Sequence, residues 1–482
     1  FAIKILNSLR SIEMSNQKSR RQFVGQSAAL GAGVWVGTSL QNKSHASALQ
    51  GPSAACIGVG GKGSSDTSHI ADQGVSIVGL CDVDKGTLTK KGREFKDAAQ
   101  FQDFREMLDK LGDKVDIVTV STPDHTHACA AMQAMKMKKH VYCQKPLTWS
   151  IQEARLLRET AEKMGVVTQM GNQGTSENGL REAVEVIQNG AIGDVHEVHV
   201  WTNRPIWPQG NGRPAGEDPV PESLNWDGWI GPAPMRPYKG DNTYHSFNWR
   251  GWVDFGTGAL GDMACHTTNM PVKALKLWDP TAVTAMVNSG IVDNEQFPSN
   301  STLMFEFPER EGLVATKFYW YDGGNLPADS ILEQLPARFQ KRVAEQRSGK
   351  GNRTSGAVLI GSEGAIFSPD DYGAQFDLIR GGKVVNDYEK PAQTLPRIPH
   401  EAGGDERQKW EFVKSVTGEY EPGTMSNFGY AGRLTETMLV GILALRGEVG
   451  KRYEWDAANL KCTNVPEMNQ YTGREYREGW TL

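Results

Sequence analysis

Between residues 54 and 170, short β-branched and apolar runs alternate with helical segments, and this alternation restricts the chain more than any other feature. AACIGV, VSIVGLCD, VDIVTV, HVYC and VVTQM read as buried parallel strands, because apolar residues run through them without regular polar alternation. ACAAMQAMKMK and SIQEARLLRETAEKMG, lying between them, read as helices. The second opens on a capping box, Ser150 with Glu153, and closes at Gly165. Strands and helices in this order give a doubly wound parallel sheet. The expected fold is therefore α/β, with a Rossmann domain over residues 49–172.

After Gly171 the pattern changes. The helix ENGLREAVEVIQNG leads into HEVHVW, AVTAMVN, STLMFEF, LVATKFYWY and AVLIG, which predict a second α/β domain over residues 173–482. Its core is expected to be a large open, mainly antiparallel sheet. Residues 203–255 are rich in Pro, Gly and Trp with little periodicity, and long irregular segments in compact domains are usually functional loops. Residues 322–355 read as a second, polar insertion. Residues 405–449 read as late helices that pack back on the first domain.

The formal charge of −5 argues against nucleic acid as a partner, since phosphate binding needs a basic surface. Six cysteines in 482 residues, mostly inside apolar runs, predict buried free thiols and no disulfide framework. At the amino end, Ser19-Arg20-Arg21-Gln22-Phe23 precedes a weakly apolar run from Val24 to Leu40 and then Ala46-Ser47-Ala48. Twin arginines, a short hydrophobic stretch and a small-x-small site compose a twin-arginine export signal over residues 1–48. The run is too short and too rich in Gly and Ser to span a membrane. A periplasmic protein with no integral span after processing is the expectation.

Gly58-Val59-Gly60-Gly61-Lys62-Gly63 follows the first strand and matches GxGxxG. Such glycines permit a tight turn and let the backbone approach a pyrophosphate at a helix amino terminus. The second strand ends in Asp82, 19 residues after Gly63. A carboxylate there binds the adenosine ribose and repels a 2′-phosphate, which favours NAD. Lys85 and Lys90 nearby leave NADP open.

The third strand read from the sequence ends in Ser121-Thr122-Pro123-Asp124-His125-Thr126-His127, and the fourth in Gln144-Lys145-Pro146-Leu147. With the glycine turn, these strings resemble, in order, the fingerprint, TPxxxH and E-K-P strings of the glucose–fructose oxidoreductase/inositol dehydrogenase/MocA family. The resemblance implies a cofactor site of Gly58, Gly60, Gly61, Gly63, Asp82, Thr122, Pro123, His127, Gln144 and Lys145. It also places Lys145 beside the nicotinamide and the substrate hydroxyl. Gln144 departs from the family's glutamate, removing a carboxylate that would favour the protonated amine of Lys145.

Gly258-Ala259-Leu260-Gly261-Asp262-Met263-Ala264-Cys265-His266 resembles the family's G-x-x-x-D-x-x-x-H segment. A spacing of four puts Asp262 and His266 on one face of a helix beginning near Leu260. The resemblance makes Lys145, Asp262 and His266 the catalytic and substrate-facing group. Zinc is the rival use of this pair, but no H-E-x-x-H or third ligand accompanies it, so no metal is expected.

Six tryptophans lie between Trp201 and Trp252. With Trp249, Arg250 and His245 among them, they suit stacking on a sugar ring or, equally, a structural aromatic core. The expected activity is NAD(P)-dependent hydride transfer at a CH–OH group of a sugar, polyol or glycoside, by a homo-oligomer (dimer or tetramer). The alternatives are redox-neutral glycoside cleavage by oxidation, elimination and reduction, and a non-catalytic NAD-binding protein. Export of a folded protein to a compartment without a dissolved nicotinamide pool further predicts a tightly bound cofactor.

Overall fold

The computed structural model describes residues 51–399, 401 and 403–482; the twin-arginine string, the apolar run and the cleavage site lie outside them. The first sheet consists of β1 (Ser53–Ile57), β2 (Ser76–Cys81), β3 (Ala99–Phe101), β4 (Ile117–Val120), β5 (His140–Cys143) and β6 (Thr168–Met170). Its order is β3-β2-β1-β4-β5-β6, with every neighbouring pair parallel. The order reverses between β1 and β4, and a crevice opens at their carboxyl ends, where open α/β sheets bind ligands.

Two glycines set the turn after β1. Gly58 has φ +75°, and a Cβ there would lie 2.7 Å from the Ser121 carbonyl oxygen. Gly63, on the helix Gly61–Ala71, sits so close to the strand that a Cβ would come within 1.8 Å of the Gly58 oxygen. The predicted capping box closes as expected: Ser150 Oγ accepts from Glu153 N and Glu153 Oε2 from Ser150 N, and Gly165 is left-handed.

The second sheet consists of β7 (Val195–Trp201), β8 (Ala282–Asn288), β9 (Ser301–Phe307), β10 (Thr316–Tyr321), β11 (Gly356–Gly361), β12 (Ala365–Ser368), β13 (Asp377–Arg380), β14 (Lys383–Val384), β15 (Arg452–Asp456) and β16 (Lys461–Cys462). They run in the order β14-β13-β12-β11-β7-β10-β9-β8-β15-β16. Only β7 and β10 pair in parallel. The five strands read from the sequence are β7 to β11; β12 to β16 are additional. Residues 322–355 are more than a polar insertion. Their helices Asp329–Leu332 and Ala337–Arg347 bury Leu332, Phe339 and Val343 against Trp201 and Phe367.

Late helices return to the first domain. Phe412 and Val413, on the helix Gly404–Thr417, join the core beneath β1 and β2 with Ala54 and Leu80. The helix Phe428–Leu439 lies along Ile151–Met164, where Arg155 pairs with Glu436 at 2.6 Å. All six cysteines are buried and free. No helix among the described residues is long and apolar enough to cross a membrane.

The contact at Gly63 yields a direct test. Gly63→Ala must push the helix off the strand and is expected to cost at least about 2 kcal/mol, the scale of core overpacking. Urea unfolding of the nucleotide-free protein measures this, and an unchanged midpoint would contradict the packing described.

Candidate functional site

The carboxyl ends of β1, β2, β4 and β5 meet the insertion 203–255 around a cleft of about 570 Å³. Gly58, Gly60, Gly61, Asp82, Thr122, Pro123, Gln144 and Lys145 line it from the first domain. Trp229, His245, Phe247, Trp249 and Arg250 line it from the insertion, and Trp480 from the carboxyl end. The glycine turn leaves a bare backbone on the wall, as a pyrophosphate requires. Asp82 closes one end: its Oδ2 accepts from Val59 N and its Oδ1 from Asp84 N, both at 3.0 Å. Burial pushes the Asp82 carboxyl up to about 6 despite these donors. The bare glycine backbone, the Asp82 carboxylate and the Lys145 amine on this wall are the groups that would hold a dinucleotide.

At the other end the two domains touch through charge. Lys145 Nζ, from the turn after β5, lies 2.7 Å from Asp262 Oδ1 and donates also to the Asp262 carbonyl at 2.9 Å. Asp262 sits in the helix Gly258–Thr267, and Arg250 Nε approaches the same Oδ1 at 3.2 Å. Burial alone would raise the Asp262 carboxyl, but the charges of Lys145 and Arg250 overcome it and hold the group down at about 2. His266, one turn on, is buried; burial first and Lys145 second push its imidazole down to about 3. It is therefore neutral at physiological pH, with Nδ1 buried and without a hydrogen-bond partner. The Tyr372 ring stands edge-on to it at 5.1 Å.

The other expected residues divide. His127 does not line the cleft. Its Nδ1 lies 2.8 Å from the Pro146 oxygen and its Nε2 2.8 Å from the Thr122 oxygen, so it ties the two motif strings together from beneath. Burial pushes it down to about 4. Gly63 likewise serves helix–strand packing and is not on the wall. The aromatic insertion is both things the sequence left open. Trp226, Trp252, Tyr244 and Phe255 form a buried core; Trp229, Phe247 and Trp249 reach the cleft, where the Arg250 guanidinium lies 4.3 Å from the Trp249 ring centroid.

Sequence reasoning missed two carboxylates. Asp124, inside the first motif string, is buried: Oδ2 accepts from Thr257 Oγ1 at 2.7 Å, and Oδ1 has no partner. Burial, opposed by Lys145, lifts it to about 7. Asp66 is fully buried behind the glycine turn and accepts from Gln144 Nε2 at 2.8 Å. Its signal was a charge three residues after Gly63, on the buried face that Thr67 and Ile70 continue. Among the described residues, no group of three or more His, Cys, Asp or Glu is placed to hold a metal ion.

Comparison with known proteins agrees with this two-domain fold. Residues 53–172 match the oxidoreductase family model described as an NAD-binding Rossmann fold, and residues 187–297 match its C-terminal α/β domain. An inositol 2-dehydrogenase of Salmonella paratyphi B is 28% identical over 150 residues, 30% of this chain and 44% of that protein. The matched stretch thus spans less than half of that relative's length. A 2,7-anhydro-N-acetylneuraminate hydratase of Mediterraneibacter gnavus is 24% identical over 267 residues, 53% of this chain and 67% of that protein. Among solved structures, an inositol dehydrogenase homolog from Azotobacter vinelandii, complexed with NADH and myo-inositol, superposes with a TM-score of 0.56 at 18% identity. The superposition covers 84% of this chain and 98% of that one, and so supports the fold.

The position of Asp82 sets a pH dependence. Only its ionised form would accept ribose hydroxyls, so protonation near pH 6 would compete with binding. NAD affinity is expected to hold above pH 7 and to fall by up to about tenfold per pH unit below about 6. Titration from pH 8 to 5 checks this, with Asp82→Asn expected to flatten the profile. The same slope in that variant would locate the titrating group elsewhere.

Proposed function

Because the chain belongs to the glucose–fructose oxidoreductase/inositol dehydrogenase/MocA family, we propose that it is an NAD-dependent oxidoreductase acting on a CH–OH group of a sugar, polyol or glycoside. The observation that carries this reading is the Lys145–Asp262 pair, 2.7 Å long, set across the two domains at the end of the nucleotide cleft beside the unpartnered His266. Bound NAD supplies a nicotinamide carbon that takes up or returns a hydride. The remaining work falls to this chain. Lys145 spends two donors on Asp262, leaving one N–H for a substrate oxygen. Asp262, fixed as a carboxylate by Lys145 and Arg250, orients that ammonium and accepts from a neighbouring hydroxyl. Neutral His266 takes the hydroxyl proton.

Two variants test these roles. Lys145→Ala is expected to abolish turnover, and His266→Ala to lower kcat by about 10²–10⁴-fold, the usual range for an acid–base group. A panel of sugars and aryl glycosides, read for NADH absorbance and released aglycone, supplies the assay. Wild-type kcat in Lys145→Ala would overturn the assignment.

A second reading, redox-neutral chemistry on a retained cofactor, draws support from a clasp between the domains at the edge of the cleft. Residues 223–225 of the second domain cross the loop after β2: Lys85 N donates to the Ser223 oxygen at 3.0 Å and Asn225 N to the Val83 oxygen at 2.9 Å. Gln102 Nε2 binds both the Val83 and Ser223 oxygens. Val83 and Gln102 also line the cleft, so these bonds tie that edge of it to the second domain, which suits a cycle that keeps its cofactor in place. Export by the twin-arginine signal to the periplasm belongs to the same reading. So does homo-oligomeric assembly, for which Met286 and Val287 leave exposed apolar side chains on β8. Purified protein is expected to carry near-stoichiometric dinucleotide through gel filtration and to turn over without added NAD. An apo preparation that needs freely exchanging NAD would remove the retained-cofactor reading and leave the dehydrogenase.

A further inference from the structure

The neighbour of Lys145 is a glutamine, and the structure supplies a reason. Gln144 turns its side chain inward beneath the cleft, where Nε2 donates to Asp66 Oδ2 at 2.8 Å. Its Oε1 faces the other way and accepts from the backbone N–H of Lys145 at 3.4 Å. Room for the amide exists because residue 171 is glycine; a Cβ there would lie 2.7–2.8 Å from the three amide atoms. Asp66 Oδ2 also accepts from Ser121 Oγ at 2.8 Å, which brings the end of β4 into the same node.

The other oxygen of Asp66 belongs to a ring of alternating charge. Lys62 Nζ lies 2.8 Å from Asp66 and 2.7 Å from Asp405; Lys409 Nζ lies 2.6 Å from each. Asp66 and Lys409 are fully buried. Burial by itself would raise the Asp66 carboxyl, but the charges of Lys409 and Lys62 outweigh it and leave the group below the ordinary carboxylate range. Asp66 is thus a permanent anion with every lone-pair direction in use. A carboxylate at position 144 would meet that anion at hydrogen-bond distance with no proton between them, which the buried node cannot tolerate. A glutamine amide can donate to Asp66 and accept from Lys145 at once.

We infer that Asp66 is a positioning residue for Lys145, acting through Gln144. The inference rests on the proposed role of Lys145. Asp66 is buried and does not line the cleft; it fixes the Gln144 amide, which holds the Lys145 peptide where its side chain spans to Asp262. Since Lys62 belongs to the glycine turn and Lys409 to a late helix, the same anion keys the lysine to both.

Exchange of the two groups tests the idea. Gln144→Glu and Asp66→Asn are each expected to lower kcat at least tenfold. In crystals of Gln144→Glu, Lys145 Nζ is expected to lie beyond hydrogen-bond reach of Asp262. The double variant Asp66→Asn/Gln144→Glu restores one amide facing one carboxylate. It should recover kcat to within about threefold of wild type and re-form the Lys145–Asp262 contact. A generic packing role would leave the double variant as impaired as the worse single one, and that result would overturn the inference. If Asp66→Asn does not fold, Gln144→Met, similar in size but unable to bridge, decides the matter. Its crystal should show the displaced lysine, and an undisturbed Lys145–Asp262 contact overturns the proposal. The crystallographic contact is read without any substrate. Lys145→Ala separates the two levels of argument: an active Lys145→Ala removes the proposed function, whereas an inactive one beside an undisturbed Gln144→Glu removes only the role of Asp66.

Discussion

The ion pair between Lys145 and Asp262 is the constraint around which the rest is arranged. It joins the turn after the fifth strand of one sheet to a helix of the other domain, and both partners are largely withdrawn from water. A pair so placed is stable only if its geometry is good and its remaining donors and acceptors are engaged. Here Asp262 receives a second cation from Arg250, and Lys145 donates to the backbone as well as the side chain. Either domain alone would expose half of this arrangement. The cleft therefore exists as a functional shape only while the domains are closed on each other, and the late helices help keep them so.

Behind that pair lies a second charged node, and the two divide the labour of holding one lysine. Lys145 is drawn forward by Asp262 and anchored from behind by the Asp66–Gln144 hydrogen bond. The rear node is balanced, two carboxylates against two ammonium groups, so it can be buried without leaving a net charge behind the glycine turn. Placing Asp405 and Lys409 on a helix more than 330 residues beyond the glycine turn makes the cofactor loop depend on the last part of the chain.

What the sequence disclosed follows from where each element sits. β1, β2, β4 and β5 are legible because central parallel strands are buried on both faces and read as apolar runs, and β6, at the sheet edge, is legible because the late segments around Gln408 and Ser426 bury it. β3 and β12 to β14 lie toward sheet edges or are two to four residues long, and leave too little pattern to find. β15 alternates, but its exposed face carries Arg452 and Glu454, and it pairs with a strand 170 residues earlier. Spacing and motif order reach Asp82, Lys145, Asp262 and His266, of which the structure sets Asp82 and Lys145 on the cleft wall and brings Asp262 against Lys145. His127 was assigned to the cofactor from the same string, yet its ring turns inward to two carbonyls, a choice no spacing encodes. Asp66 could be seen only as an anomaly, a charge on a buried helix face, since its partners come from four separate segments.

The ionisable groups of the site share one degree of burial and are sorted by their neighbours. Asp262 and Asp124 are both withdrawn from water, yet one is held at about 2 and the other lifted to about 7. The difference is company. Asp262 touches Lys145 and Arg250, whereas Asp124 has a threonine hydroxyl in contact and feels the Asp262 anion as well as the cations. His266, with cations nearby and no bond to Nδ1, stays neutral. At neutral pH the cluster thus contains a fixed anion, a neutral base and a carboxyl poised close to its midpoint. In the proposed reaction His266 thus stands unprotonated and able to take the hydroxyl proton, while the Asp262 carboxylate stays charged to hold Lys145.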